Sequence, residues 1–171
     1  MRTTIPVDRP QKKGWHETHH FISSSLKNSN TSLLLLGDSI INGLTRYDSV
    51  WREFFKPYKA INCGISGDKT QHVLWRTIDM SIPCTVRFIV INVGTNNIDS
   101  DHPREICEGI MRIAHKLRKK SSNAKIIVTG LLPRDLYWSE RRKKIIDVNH
   151  QLKYCCENRK DIFFLEQDSN W

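Results

Sequence analysis

The chain has 171 residues, 39% of them hydrophobic, with a formal net charge of +9 from 27 Lys+Arg against 18 Asp+Glu. That is the length of one domain, large enough to bury a single core, and the apolar fraction excludes a mostly disordered chain. No apolar run approaches the roughly 20 residues of a membrane-spanning helix, while the surplus of Lys and Arg raises the question of a polyanionic partner such as nucleic acid.

The amino-terminal MRTTIPVDRPQKKGWHETHH is basic without an apolar core, so it does not read as a secretory signal. Arg2 to Lys13 reads as a loose arm, followed by a helix whose Trp15, His19, Phe21 and Ile22 lie on the domain. His16, His19 and His20 read as surface residues, because no ligand spacing of Cys or carboxylates accompanies them. Residues 1–31 thus form an arm and helix ahead of a domain at 32–171. Ser32 to Leu36 is an unbroken apolar run of the kind buried on both faces of a sheet, and a second strand falls at Lys59 to Asn62. Asp68 is placed to cap a short helix, with Gln71 three residues on and Val73, Leu74 and Ile78 facing the sheet.

Arg87 to Val93 is the strongest strand, dense in β-branched residues. Pro103 to Lys120 repeats Ile106, Ile110, Ile113, Ala114 and Leu117 on one helical face. A strand at Lys125 to Thr129 precedes a helix from about Ser139 to Cys156, with Ile145, Val148, Leu152 and Cys155 inward and Arg141 to Lys144 largely outward. Asp161 to Leu165 is the last strand. The basic clusters at Lys116 to Lys120 and Arg141 to Lys144 sit at helix ends or on solvent faces. With no zinc-ligand spacing or RNA-binding aromatic motif beside them, a solvated face is favoured over a nucleic-acid surface. Five cysteines, two of them adjacent at Cys155 and Cys156, do not make a disulfide framework. A reducing cytoplasmic or nuclear compartment fits that pattern best, with cytoplasmic as the expectation.

Strands alternating with helices predict an α/β fold: a parallel sheet covered on both faces, with its ligand site beyond the carboxyl ends of the strands. The loops there are Gly37-Asp38-Ser39-Ile40, Gly64-Ile65-Ser66-Gly67-Asp68 and Gly94-Thr95-Asn96-Asn97. Alone, Gly-Asp-Ser reads as a turn serine capping a helix. Together, the three loops offer a nucleophile and convergent donors, as acyl transfer requires. Ser39 is the candidate nucleophile. The N–H groups of Ser39 and Gly67 and the side-chain amide of Asn96 are the candidate oxyanion hole, with Asp38, Asp68 and Asn97 supporting the loops. No cofactor or metal is implied.

Gly37 to Ile40, Val50 to Phe55, Asn62 to Arg76, Val93 to Asn97 and Lys125 to Arg134 together make the chain similar to the SGNH, or GDSL-type, hydrolase family, and in detail to its intracellular acetylhydrolase branch. The resemblance implies a three-layer, flavodoxin-like α/β/α sandwich with a five-stranded parallel sheet in the order 2-1-3-4-5. It also implies that Ser39, Gly67 and Asn96 are the family's serine, glycine and asparagine, that the substrate is a small-molecule or lipid ester of a short acyl group such as acetyl, and that a homodimer is possible. Family members carry their catalytic Asp and His in a DxxH block after the fifth strand, whereas this sequence stops at Trp171. The expectation is therefore a domain truncated at its carboxyl end, lacking its final helix, nearly inactive as it stands and with an apolar strip open on one sheet face. His72 is expected to be structural, and His102 to cap the helix at Pro103 rather than replace the base. The competing expectation is a non-catalytic esterase-fold binding module, nucleic-acid-associated, as in esterase-like domains encoded by some retrotransposons.

Overall fold

The protein, seen in a computed structural model, is described over residues 2–136 and 138–167. After the amino-terminal turn come α1 (Trp15–Lys27), β1 (Leu33–Gly37), α2 (Ser39–Gly43), the single turn α3 (Asp48–Val50) and β2 (Ile61–Gly64). These are followed by α4 (Thr70–Arg76), β3 (Phe88–Asn92), α5 (Pro103–Lys120), β4 (Lys125–Thr129), α6 (Glu140–Cys156) and β5 (Ile162–Leu165). The strands form one sheet in the order β2-β1-β3-β4-β5 with every neighbouring pair parallel, which is the expected topology.

Burial on both faces explains the strand sequences. Leu34, Leu35 and Leu36 of β1 are buried, as are Ile89 and Ile91 of β3 and Ile126 and Val128 of β4. The repeat in α5 also packs as its spacing requires, with Ile106, Ile110, Ile113, Ala114 and Leu117 all buried. Its start is fixed by a reciprocal cap: the Arg104 amide donates to His102 Nδ1 at 3.4 Å and the His102 amide to Glu105 at 3.3 Å. Register places the site. Gly37 lies opposite both Gly64 and Asn92, so β1, β2 and β3 end in one row and their following loops emerge side by side.

Several sequence expectations change. The arm is docked rather than loose. Thr3 is fully buried and its hydroxyl donates to the Glu105 carbonyl, the Val7 amide donates to the Gln71 carbonyl, and Arg9 and Lys12 reach the loop after β2. In α1, Trp15, His19, Ile22 and Leu26 face inward while Phe21 is exposed, because Phe21 falls off their three- and four-residue spacing. His19 is therefore a core residue and not a surface one, and burial drives its pKa down to about 4. Ile78 lies beyond the end of α4 and is exposed. Arg142 is buried in α6, and Cys156 rather than Cys155 occupies the fully inward position. Strand ends shift by one or two residues, the usual slack in boundary reading.

Phe88, Lys125, Ile127 and the β5 residues Phe163, Phe164 and Leu165 line a surface groove of about 340 Å³, with Phe163 and Leu165 exposed. Among the described residues no helix is long and apolar enough to cross a membrane.

Candidate active site

The three loops are joined into one rim by an extensive hydrogen-bond network. Loop one to loop two comes first: the Ile65 amide donates to the Gly37 carbonyl at 3.1 Å and Asn42 Nδ2 to Ser66 Oγ at 2.9 Å. The approach is close enough that a Cβ on Gly64 would stand 2.3 Å from the Asn42 amide nitrogen, so no other residue fits there. The Gly67 backbone has φ +79°, a left-handed conformation that glycine adopts without steric cost. Asp68 closes this turn, its amide donating to the Ile65 carbonyl.

Loop three enters through Asn96. Its Nδ2 donates to the Asp68 carbonyl at 2.9 Å and lies 3.5 Å from Asp38 Oδ2. A carboxamide nitrogen carries two hydrogens. One is fixed by the Asp68 carbonyl, which orients the group, and the other has only the long Asp38 contact. Asn96 is thus held against the residue before Ser39 and the residue after Gly67. Asn97 beside it is fully buried: Oδ1 accepts from the Thr70 amide at 3.0 Å, and Nδ2 donates to Gln71 and Asp101. Loop three is thereby pinned to the start of α4.

Ser39 is exposed at the first position of α2, and Asp38 caps that turn by accepting from the Ile40 amide at 3.0 Å. Asp38 is itself fully buried, which pushes its pKa up to about 6. The neighbouring carboxylate of Asp68 adds to the rise, and the Ile40 hydrogen bond opposes it.

Beneath the rim lies a charged knot that sequence reading missed. Arg76 is fully buried on α4. It donates to the carbonyls of Cys63 at 2.8 Å and Gly37 at 3.0 Å, and its Nε stands 2.9 Å from Asp68 Oδ2. Burial lowers the Arg76 pKa, while the Asp68 carboxylate works to keep it charged. Asp68 Oδ1 also accepts from Trp15 Nε1 at 2.8 Å and from Arg9 Nη1 at 3.2 Å. Asp68 is therefore not the helix cap the sequence suggested. Its carboxylate is drawn inward by two guanidinium groups, and the start of α4 is held instead by the Lys69 amide donating to His72 Nδ1 at 3.0 Å. The Lys12 ammonium and Arg9 both reach the Ser66 carbonyl, so the arm grips the loop that carries Gly67. From the other side, Arg134 donates to the Thr95 carbonyl at 3.0 Å. The available signal for Arg76 was an arginine three residues after Val73, on a helical face otherwise apolar.

All seven histidines of the sequence lie among the described residues, and none of them bonds Ser39, whose hydroxyl has no hydrogen-bond partner there. His72 is buried, with a pKa lowered to about 4 by burial and by Arg9, and its Nδ1 is engaged by Lys69. His102 caps α5. Asp147 and His150 have the Asp-x-x-His spacing, which the sequence reading passed over, but they lie within α6. That helix follows β4 and its loop, so His150 stands about 15 Å along it from its rim end, lining a cavity with Cys107 and Cys155. No group of three or more His, Cys, Asp or Glu among the described residues is arranged to hold a metal.

A three-layer α/β sandwich with a Gly-Asp-Ser turn, a positive-φ glycine and a fixed asparagine at one strand-end rim defines a GDSL-type hydrolase fold. A model of the GDSL-like lipase/acylhydrolase family matches residues 35–167, and the chain belongs to that family. It is 35% identical over 158 residues to the chicken (Gallus gallus) platelet-activating factor acetylhydrolase IB subunit alpha2, covering 92% of this chain and 68% of that one. It is 33% identical over 165 residues to the rat (Rattus norvegicus) alpha1 subunit, covering 95% and 70%. A solved GDSL-like lipase from Bacteroides thetaiotaomicron superposes with a TM-score of 0.72 at 23% identity, over 88% of this chain and 77% of that one, which supports the fold.

Proposed function

We propose that the rim is the active site of a serine esterase for short-acyl carboxylic esters, with Ser39 as nucleophile and the N–H groups of Ser39 and Gly67 and the Asn96 amide as the oxyanion hole. The observation that carries this reading is the position of Asn96 Nδ2, 2.9 Å from the Asp68 carbonyl and 3.5 Å from Asp38, between the neighbours of Gly67 and Ser39. One amide hydrogen sets its direction and the second remains for a developing oxyanion. The names of the curated relatives support an acetyl group as the acyl portion.

In the proposed reaction a general base takes the Ser39 proton as Oγ attacks the carbonyl carbon. The tetrahedral oxygen is held by the three donors, the alcohol leaves with a proton, and water releases the acyl group from Ser39. Each donor is worth about 3–4 kcal/mol of barrier. None of the seven histidines of this sequence is hydrogen-bonded to Ser39 among the described residues. The family resemblance supplies one in an Asp-x-x-His block after the fifth strand. For the 171-residue polypeptide alone we therefore expect turnover about six orders of magnitude below that of a chain carrying such a block.

Hydrolysis of 4-nitrophenyl acetate by the two polypeptides tests the proposal. The extended chain should turn over and lose activity in Ser39→Ala, while the 171-residue polypeptide stays near background. Brisk Ser39-dependent turnover by the shorter polypeptide would show that one of its own histidines is the base, and activity indifferent to Ser39 would remove the proposed nucleophile.

A further inference from the structure

A second group of reactive side chains lies between α5 and α6, apart from Ser39, Gly67 and Asn96. Cys107 of α5 and Cys155 of α6 face one another with their Sγ atoms 3.8 Å apart, in hydrogen-bonding contact. All five cysteines of the chain are free thiols in this structure. Cys107 is buried at 3% exposure, whereas Cys155 is half-buried. Both line a surface cavity of about 450 Å³ together with Arg104, Glu108, His150 and Tyr154. Tyr154 is 77% exposed, so the cavity opens to solvent and admits a small reagent to the pair. The neighbouring Cys156 is turned away, with its Sγ 3.9 Å from Met111 Sδ on the inner side of the same helix pair.

We propose that Cys107 and Cys155 form a redox-sensitive thiol pair that hydroperoxides oxidise to a disulfide stapling α5 to α6. A sulfur–sulfur bond of about 2.05 Å asks the two atoms to close less than about 2 Å, a movement that side-chain rotation on two packed helices can share. The sulfur of Cys155 attacks one oxygen of the peroxide, the O–O bond breaks, and a sulfenic acid and one water (an alcohol, from an organic peroxide) result. The sulfur of Cys107 then attacks the Cys155 sulfur, the S–O bond breaks, and the hydroxyl leaves as water. Two thiols lose two electrons and two protons, and one peroxide is reduced. The division of labour follows from placement. Cys155 meets the reagent at the cavity. Cys107 sits behind it, kept protonated by burial and by the adjacent thiol until the sulfenic acid forms. The proposal stands independently of the esterase reading, because neither cysteine belongs to the rim.

The test is oxidation of the folded chain with hydrogen peroxide, blocking of remaining thiols with N-ethylmaleimide and non-reducing tryptic mapping by mass spectrometry. Residues 105–112 and 154–159 are released as separate peptides, one with Cys107 and the other with Cys155 and Cys156. The expected product joins them, minus two hydrogens and with one maleimide on the second peptide. It persists in Cys156→Ser, disappears in Cys155→Ser, and raises the melting temperature by several degrees, reversibly with dithiothreitol. A bond between Cys155 and Cys156, a cross-link that survives Cys155→Ser, oxidation confined to exposed Cys84, or a cross-link that lowers the melting temperature overturns the proposal. Mapping of the unsubstituted chain decides the pairing even if a variant folds poorly.

Discussion

Replacing Arg76 with Met should be among the most destabilising single changes in the molecule. The substitution keeps the volume of the side chain's stem but removes a buried guanidinium that pairs with Asp68 at 2.9 Å and caps the carbonyls of Gly37 and Cys63. Breaking a buried ion pair by deleting one partner costs about 3–5 kcal/mol, and each orphaned buried carbonyl adds about 1–3 kcal/mol where water does not reach it. Against this, Asp68 keeps Trp15 Nε1 at 2.8 Å and Arg9 at 3.2 Å, so its charge is not left wholly uncompensated. The net loss should be about 4 kcal/mol, or a melting temperature lower by about 8–16 °C for a chain of this size. Urea unfolding followed by circular dichroism measures it without any need for turnover. The partner substitution Asp68→Asn removes the stranded charge, so Arg76→Met with Asp68→Asn should be less destabilising than the two single effects added, by about 2 kcal/mol or more. A loss below about 1 kcal/mol for Arg76→Met, or strict additivity in the cycle, would refute the view that the three loops are held from beneath by this pair.

In an extended, active chain, Asn96→Ala should lower kcat about 10²- to 10³-fold with little change in KM, read from 4-nitrophenyl acetate kinetics. Equal losses in binding and turnover would show the amide acting on substrate rather than on the transition state. Asp38→Asn tests the buried carboxyl. Its pKa is raised from 3.8 to about 6, so its contribution to stability is full below about pH 4 and is lost as pH rises through 6. The stability of Asp38→Asn relative to the unsubstituted chain should therefore improve by up to about 3 kcal/mol between pH 4 and pH 8, and a flat difference across that range would contradict the assignment. Arg9→Ala should destabilise the fold by about 1–2 kcal/mol and speed exchange of the Asp68 amide, which donates to the Ile65 carbonyl, by tenfold or more, since Arg9 bonds both the Ser66 carbonyl and Asp68. Unchanged exchange there would mean the arm lies on the loop without holding it.

The strands and helices were legible because each rests on a local signal, whereas the strand order came with the family resemblance. Leu33 to Leu36 is an apolar run and Arg87 to Val93 is dense in β-branched residues, each ended by glycine, and the periodic face of α5 points one way only. The charged knot was not legible in the same way. Asp68 has the chemistry of a helix cap, and local spacing favours that role. Only the tertiary arrangement brings the guanidinium of Arg76 behind it and turns its carboxylate inward. The arm failed for a similar reason: Arg2 to Lys13 is polar, and its order comes from Thr3, Val7, Arg9 and Lys12 finding partners on α5, α4 and the Gly67 loop. His19 was read by residue type, although its four-residue spacing from Trp15 already placed it on the buried face. At the rim the sequence identified the three loops that lie side by side. It did not reveal that Asn96 would be oriented by a main-chain carbonyl, because that carbonyl belongs to a turn distant in sequence.

The most direct test of the rim as a catalytic centre is covalent trapping of the extended chain with diethyl 4-nitrophenyl phosphate, followed by peptide mapping. The account predicts one diethylphosphoryl group, on Ser39, with trapping slowed in Asn96→Ala and abolished in Ser39→Ala. Modification at another residue, or trapping that persists in Ser39→Ala, would contradict it.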